Sequence, residues 1–209
     1  MTASASARLL IVGPQGSGKG TQGVRVAEAF GVPQVATGDI FRENVTGGTE
    51  LGKQVQAIIE AGDLVPDELT SELVRDRLEQ PDAANGFLLD GYPRNRNQVG
   101  DLDAFLEPRG EALDAVIELV VPREESIARI TQRAEEQGRT DDTEEVIANR
   151  LAIYERETAP ILEVYRERGI VDEIDGVGTL DEVTERIFAA LAKRELHAAG
   201  PHGGNGAAA

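Results

Sequence analysis

A glycine-rich segment near the N-terminus strongly limits the folds open to this chain. The apolar run 8–12 (RLLIV) stops at GPQGSGKGT, residues 13–21, and residues 21–30 then have apolar side chains at helical spacing up to Gly31. A buried strand, a tight glycine turn and a helix form the local unit of α/β folds. Glycines in such a turn let backbone N–H groups approach phosphate oxygens, and the helix N-terminus adds partial positive charge. The segment therefore predicts a phosphate-binding loop in an α/β domain.

Further apolar runs alternate with helical patterns along the chain. The strand candidates are 32–36, 87–89, 115–121 and 170–174, and 144–168 is the longest helical pattern, with a bend expected at Pro160. This alternation predicts a doubly wound α/β fold with a parallel sheet. Ligands of such folds bind beyond the carboxyl ends of the strands, so we expect sites after Val12, Leu89 and Val121. We expect a flexible leader at 1–7, a single domain at 8–197 and a disordered tail at 198–209.

The composition excludes several classes of protein. The 209 residues include 38 acidic and 21 basic side chains, a net charge of −17, and no Cys. Binding to nucleic acid needs a basic surface, so no nucleic-acid partner is expected. Without Cys neither a disulfide framework nor a thiolate zinc site can form, which fits a cytoplasmic setting. No run of 18 apolar residues occurs, so we expect no membrane partner.

The phosphate loop itself fits the pattern GxxxxGK. Gly20 stands at the usual Ser/Thr position, Thr21 follows it, and Lys19 supplies a mobile positive charge for the β- and γ-phosphates. The residues expected to contact the triphosphate are Gly16, Ser17, Gly18, Lys19, Gly20 and Thr21. A glycine turn that binds nothing is the alternative, but the lysine and the strand–turn–helix setting favour a nucleoside triphosphate. The loop alone does not indicate which reaction follows.

Three more motifs follow this loop in order, and together they resemble the adenylate kinases. They are TGD at 37–39 with Arg42, GDLVP at 62–66, and DGYPR at 90–94 with Gln98. The resemblance extends from about Arg8 to Leu191. It implies a P-loop NTPase three-layer fold with a five-stranded parallel sheet, a mobile NMP-binding flap at 36–65 and a short lid at 132–142. It also implies a cytoplasmic monomer that transfers a phosphoryl group reversibly from MgATP to AMP, giving two ADP, in adenine nucleotide homeostasis and purine salvage.

By this resemblance, the acceptor nucleotide AMP binds to a set of residues in the first two thirds of the chain and in the lid region. Arg42 and Arg94 hold its phosphate, for which a guanidinium fork is suited. Gln98 reads adenine, because an amide can both donate to and accept from one edge of the base. The other AMP residues implied are Thr37, Asp63, Leu64, Val65, Gly91, Tyr92, Pro93, Arg139 and Arg150.

The same resemblance assigns the donor nucleotide ATP to later residues. Arg129 and Arg133 contact ATP, and the backbone of Gly178 meets its adenine. Arg129 and Arg133 lie four apart, so they share one face of a helix. Arg139 and Arg150 reach the transferring phosphoryl group as well as AMP. The residues implied to act in catalysis are Lys19, Arg94, Arg133, Arg139 and Arg150.

Asp90 follows the apolar run 87–89, which predicts a carboxylate at the carboxyl end of a central strand. It resembles the acid that holds Mg²⁺ through water in nucleotide-binding folds. A turn or helix-capping aspartate is the alternative. The lid is short and the chain has no Cys, so a zinc lid is excluded.

Other interpretations remain open on the residues alone. A kinase for UMP or CMP is the nearest, although Gln98 and Thr37 favour adenine. A GTP-dependent switch would carry an Asn-Lys-x-Asp motif, and no Asn in this chain is followed by Lys. An acidic scaffold with a vestigial loop is disfavoured by basic residues on both sides of the site. Taken singly, the arginines could form ordinary surface ion pairs: Arg42 with Glu43 or Glu60, Arg94 with Asp101, and Arg129 with Glu125.

Overall fold

A parallel sheet forms the centre of the protein. The computed structural model describes residues 6–137 and 143–198, with side chains for 6–132 and 143–198. The strands are β1 (Ala7–Val12), β2 (Gln34–Ala36), β3 (Gly86–Asp90), β4 (Ala115–Val120) and β5 (Val171–Asp175). They lie in the order β2-β3-β1-β4-β5 and pair in parallel throughout. The five-stranded parallel sheet is thus confirmed.

Helices cover both faces of this sheet. They are α1 (Lys19–Phe30), α2 (Thr37–Thr46), α3 (Glu50–Ala61), α4 (Asp67–Leu78), α5 (Arg96–Leu106), α6 (Arg123–Gln137), α7 (Glu144–Ile153), α8 (Ile161–Glu167) and α9 (Leu180–Lys193). Side chains of β1 alternate between two apolar clusters, because successive residues of a strand point to opposite faces. Leu9 and Ile11 pack with α1 and α9, whereas Leu10 and Val12 pack with α4, α5 and α8. These three layers confirm the α/β fold class.

The boundaries of several elements differ from the sequence expectations. Strand β1 begins at Ala7, which is buried and pairs with Gly86, so residue 7 lies in the sheet rather than in the expected leader. Helix α1 begins at Lys19 rather than Thr21, and it ends where expected, at a left-handed Gly31. Residues 1–5 of the leader, 138–142 of the lid and 199–209 of the tail lie outside the described residues.

The longest helical pattern is interrupted rather than simply bent. A π-helical turn, Tyr154–Thr158, separates α7 from α8. In it the Ala159 N–H donates to the Tyr154 carbonyl, five residues back, over 2.8 Å. Pro160 follows directly and has no N–H, and its ring excludes the carbonyl four residues earlier. The helical irregularity thus lies directly before Pro160, where the sequence predicted a bend.

The segment 36–65 folds as a helical hairpin on one side of the sheet. Helices α2 and α3 enclose an apolar cluster of their own, with Phe41, Val55 and Val65 at its centre. The two helices meet at Gly52, where an added Cβ would lie 2.1 Å from the Asn44 carbonyl oxygen. Over residues 6–137 and 143–198, none of the helices combines the length and apolar character that crossing a bilayer requires.

Candidate active site

The segment between β1 and α1 forms a tight turn. Gly16 and Gly18 have positive φ angles of 82° and 90°, which side chains other than glycine rarely adopt. A Cβ at Gly16 would lie 2.3 Å from the carbonyl oxygen of Ser126, so this side of the loop packs directly on α6. Helix α1 starts at Lys19, whose ammonium lies 3.4 Å from the Pro14 carbonyl oxygen. The loop thus has the compact form and helix start that an anion site requires.

A cleft of about 240 Å³ opens beyond the carboxyl ends of β1, β2 and β3. Most residues predicted for the acceptor side line it together with part of the phosphate loop. They are Lys19, Gly20, Thr37, Arg42, Asp63, Leu64, Val65, Asp90, Gly91, Pro93, Arg94, Gln98 and Arg150. Tyr92 lies behind the cleft, because its side chain is 2% exposed and its hydroxyl hydrogen-bonds to Ser71 over 3.0 Å.

Three arginines converge in this cleft. Arg94 donates from Nε to the Gly91 carbonyl oxygen over 2.8 Å. Burial lowers the pKa of Arg94, the carboxylate of Asp90 opposes that effect, and the nearby charges of Arg150 and Arg42 lower the pKa further. Mutual repulsion among cations at one place is relieved by an anion, so the arrangement suits a phosphate group.

The ion-pair alternatives for these arginines are not the ones the structure contains. Arg42 pairs with Asp39, one helical turn earlier, and neither Glu43 nor Glu60 is its partner. Asp101 accepts a hydrogen bond from Ser71 over 2.6 Å and does not pair with Arg94. The guanidinium of Arg94 therefore stays directed at the cleft rather than at a surface acid.

Asp90 lies at the carboxyl end of β3, beside the phosphate loop. It is 7% exposed, and burial raises the pKa of its carboxyl while Lys19 and Arg94 oppose that shift. A Cβ at Gly20 would lie 3.8 Å from the Asp90 Oδ2, so this carboxylate faces the start of α1. Among the described residues no group of three or more acidic or His side chains could hold a metal by itself. A lone carboxylate next to a phosphate site matches the way Mg²⁺ binds, through one acid, phosphate oxygens and water.

Gln98 also lines the cleft and is 2% exposed. Its Oε1 accepts from the backbone N–H of Arg94 over 2.8 Å, and its Nε2 donates to Asp67 Oδ1 over 2.8 Å. The Thr37 hydroxyl, also buried, donates to the Gly91 carbonyl oxygen over 3.0 Å. Leu64 adds an apolar side chain to the lining of the same cleft. An apolar lining with a few polar groups is typical of pockets that bind a nucleotide base.

Helix α7 is tied to the end of the α2–α3 hairpin. Asn149 Nδ2 donates to the Ala61 carbonyl oxygen over 3.0 Å and to Asp63 Oδ1 over 2.8 Å. The Arg150 guanidinium donates to the Ile59 carbonyl oxygen over 3.2 Å. These contacts hold Arg150 at the mouth of the cleft.

Two residues predicted for the donor side beyond the phosphate loop, Arg129 and Gly178, do not line this cleft. Arg129 donates to the Gly176 carbonyl oxygen over 3.2 Å and lies 3.9 Å from a Cβ placed at Gly18. It also forms an ion pair with Glu125 over 2.8 Å, which is the surface pair that the sequence left open as an alternative. Arg129 therefore makes this pair while it lies beside the phosphate loop. Gly178 is exposed in the loop before α9, with a φ of 134°.

Two predicted arginines cannot be placed in this site. Arg133 belongs to α6, but its side chain lies outside the described part of the structure. Arg139 falls within 138–142, which is also outside it. Their predicted contacts with ATP and with the transferring group therefore stay predictions.

The structure adds residues that were not among those predicted for the site. Asp39 and Thr158 line the cleft, and the Thr158 hydroxyl donates to the Arg94 carbonyl oxygen over 2.9 Å. Asp67 and Asn149 support cleft residues from behind. The spacing of Asp39 three residues before Arg42 was a usable signal, since such pairs meet on a helix. No local sequence signal predicts a role for Thr158, which lies in the π-helical turn and contacts Arg94, 64 residues earlier in the chain.

Comparison with known proteins points to one family. The family model described as adenylate kinase matches residues 11–170. The adenylate kinase of Leifsonia xyli subsp. xyli is 59% identical over 188 residues, covering 90% of this chain and 94% of that protein. That of Clavibacter michiganensis subsp. michiganensis is 59% identical over 187 residues, covering 90% and 94%. That of Kocuria rhizophila is 55% identical over 184 residues, covering 88% and 98%.

Proposed function

The chain belongs to the adenylate kinase family, and on that premise we propose that it transfers the terminal phosphoryl group of MgATP reversibly to AMP, giving two ADP. One observation carries the assignment to this cleft: Arg42, Arg94 and Arg150 converge beside Lys19, in a cavity that the Gln98 amide also lines. We assign AMP to this cleft and the ATP triphosphate to the phosphate loop. The reaction would serve adenine nucleotide homeostasis and purine salvage.

The proposed chemistry needs positioning and charge neutralisation rather than a strong base. The attacking atom is an oxygen of the AMP phosphate, which is already anionic. A bond forms between this oxygen and the γ-phosphorus, the bond from the γ-phosphorus to the β–γ bridging oxygen breaks, and its electron pair leaves with ADP. Arg42 and Arg94 hold the attacking phosphate, and Lys19 neutralises charge on the β- and γ-phosphates. No proton has to be removed, which fits a site without His.

Mg²⁺, when bound with ATP, would neutralise part of the charge on the phosphates. Asp90 would hold it through water, as its buried position beside Lys19 supports. Zinc is not proposed, because the chain has no Cys for a thiolate site.

Two closing elements are part of the proposal. The hairpin 36–65 acts as the AMP-binding flap and 132–142 as the lid, both attached to the single domain that begins with Ala7 in β1 and extends to residue 197. Closure would exclude water, which otherwise receives the phosphoryl group, and would bring Arg133 and Arg139 to the ATP phosphates. We further propose a cytoplasmic monomer whose partners are ATP, AMP and ADP, without nucleic-acid or membrane partners.

A coupled assay tests the function directly. ADP formation from MgATP is measured with AMP, UMP, CMP or GMP as acceptor, with and without an inert dinucleotide that spans both sites. We expect AMP to be preferred and the dinucleotide to inhibit. Faster transfer to UMP or CMP would replace the proposal with the pyrimidine alternative, and no transfer to any acceptor would refute it.

A further inference from the structure

Behind the base pocket, one carboxylate collects the amide groups of three side chains. Asp67, in the first turn of α4, accepts from Asn95 Nδ2 and Gln98 Nε2 at its Oδ1, each over 2.8 Å. Its Oδ2 accepts from Asn97 Nδ2 over 3.3 Å. Gln98 lines the cleft, whereas Asp67 is not among the residues that do. We propose that Asp67 is a positioning residue that fixes the Gln98 amide in the orientation that selects a 6-aminopurine over a 6-oxopurine. This inference rests on the proposed function, in which Gln98 reads the base.

The two neighbours of the amide leave it only one orientation. The backbone N–H of Arg94 can only donate, and it meets one end of the amide over 2.8 Å. The carboxylate of Asp67 can only accept, and it meets the other end. The oxygen must therefore face Arg94 and the nitrogen must face Asp67. A flipped amide would set N–H against N–H at one end and oxygen against oxygen at the other, leaving buried polar groups unpaired.

The groups that remain free on the amide match one kind of base. A primary amide has two N–H donors and two acceptor lone pairs. Asp67 uses one donor of Gln98 and Arg94 uses one acceptor, so one of each remains for a ligand. Adenine offers an acceptor at N1 and a donor at its 6-amino group, which pair with that donor and that acceptor. In hypoxanthine the two positions are reversed, with a donor at N1 and an acceptor at the 6-oxo group.

The test compares two substitutions of the same carboxylate. Asp67→Ala removes the acceptor, whereas Asp67→Asn loses the charge but keeps an oxygen that can face Gln98. The measured quantity is the ratio of kcat/KM for AMP to kcat/KM for IMP. A purely structural effect of the substitution would lower both values equally and leave this ratio unchanged. We expect the ratio to fall about tenfold in Asp67→Ala, the worth of one hydrogen bond to a charged group, and to stay within about twofold of the parent in Asp67→Asn.

Control variants distinguish an effect on the orientation of the Gln98 amide from an effect on folding. Asn97→Ala removes another donor to Asp67 without touching Gln98, and the ratio should not change. Should Asp67→Ala unfold, Asp67→Ser also removes the carboxylate, and its single hydroxyl oxygen lies one bond closer to the backbone than Asp67 Oδ1. Gln98→Leu removes the reader itself and should abolish the preference for AMP.

The outcomes distinguish this inference from the function on which it rests. If Gln98→Leu lowers the ratio but Asp67→Ala and Asp67→Ser do not, Asp67 is not a positioning residue and the kinase assignment stands. If none of the three changes the ratio, Gln98 does not read the base, and the base pocket as proposed is wrong as well. An equal fall in Asp67→Asn would also overturn the inference, because it would attribute the effect to charge rather than to the acceptor.

Discussion

The contact between the flap and α7 can be tested at a single atom. Gly62 ends α3 with a φ of 77°, and a Cβ added there would lie 2.8 Å from Val146 Cγ1 and 3.2 Å from the Val146 carbonyl oxygen. It would also lie 3.1 Å from Arg150 Cγ. Valine has few alternative rotamers in a helix, and a backbone carbonyl cannot yield without moving α7. Gly62→Ala should therefore push the end of the flap away from the helix that carries Arg150.

Gly48 offers a matched control for the size of this effect. It has a φ of 63°, and an added Cβ there would meet nothing within 4 Å. A left-handed backbone conformation destabilises the folded state by roughly 1–2 kcal/mol when the residue has a Cβ. The substitution also reduces the chain entropy of the unfolded state, which stabilises the protein by about 0.4–1 kcal/mol. Gly48→Ala should thus lower the free energy of unfolding by about 1 kcal/mol. Gly62→Ala bears the same cost plus overpacking, which typically adds about 1–3 kcal/mol.

Thermal unfolding of the nucleotide-free protein measures the difference. For a chain of this size 1 kcal/mol corresponds to about 2–4 °C, so Gly62→Ala should melt roughly 2–12 °C below Gly48→Ala. Val146→Ala removes the atom that the new Cβ meets first, so a double-mutant cycle should show a coupling of opposite sign to the two single losses. Equal melting temperatures for Gly62→Ala and Gly48→Ala would refute the proposed contact.

Three further predictions concern charge. Lys19→Met should lower kcat by about 10²–10³-fold in the coupled assay, the loss typical of one group that stabilises transition-state charge, and near-normal turnover would contradict its role. Burial raises the pKa of Asp90 above its ordinary 3.8, so its contribution to stability is present below that value and lost as pH rises through the folded-state pKa. Asp90→Asn should accordingly raise the melting temperature of the nucleotide-free protein at neutral pH, and this increase should fall toward zero in acid. An increase that becomes larger in acid would contradict a raised pKa for Asp90. Glu50→Gln breaks an ion pair with Lys53 in which both side chains are mostly exposed, so melting should not change measurably at physiological salt.

Local signals predicted the elements whose boundaries are fixed by neighbouring residues. Gly31 ends α1 in the left-handed conformation that only glycine adopts freely, and the apolar runs became the five strands. The interactions that could not be predicted join distant parts of the chain. Gln98 meets Asp67 across 31 residues, and Thr158 reaches Arg94 across 64. No periodicity encodes such contacts, because they exist only after the sheet has brought the helix ends together.

The acid excess and the cationic cleft follow from different requirements. A net charge of −17 is spread over a solvated surface, where water and salt screen each charge within about a Debye length. In the cleft, burial lowers the pKa of the Arg94 guanidinium, and the repulsion that Arg150 and Arg42 exert, with little screening there, lowers it further. Asp90 offsets only part of it. A small polyphosphate can enter the cleft and relieve the rest, whereas we expect an extended polyanion to be repelled by the acidic surface. The acid excess therefore argues against nucleic acid as a partner without arguing against nucleotides.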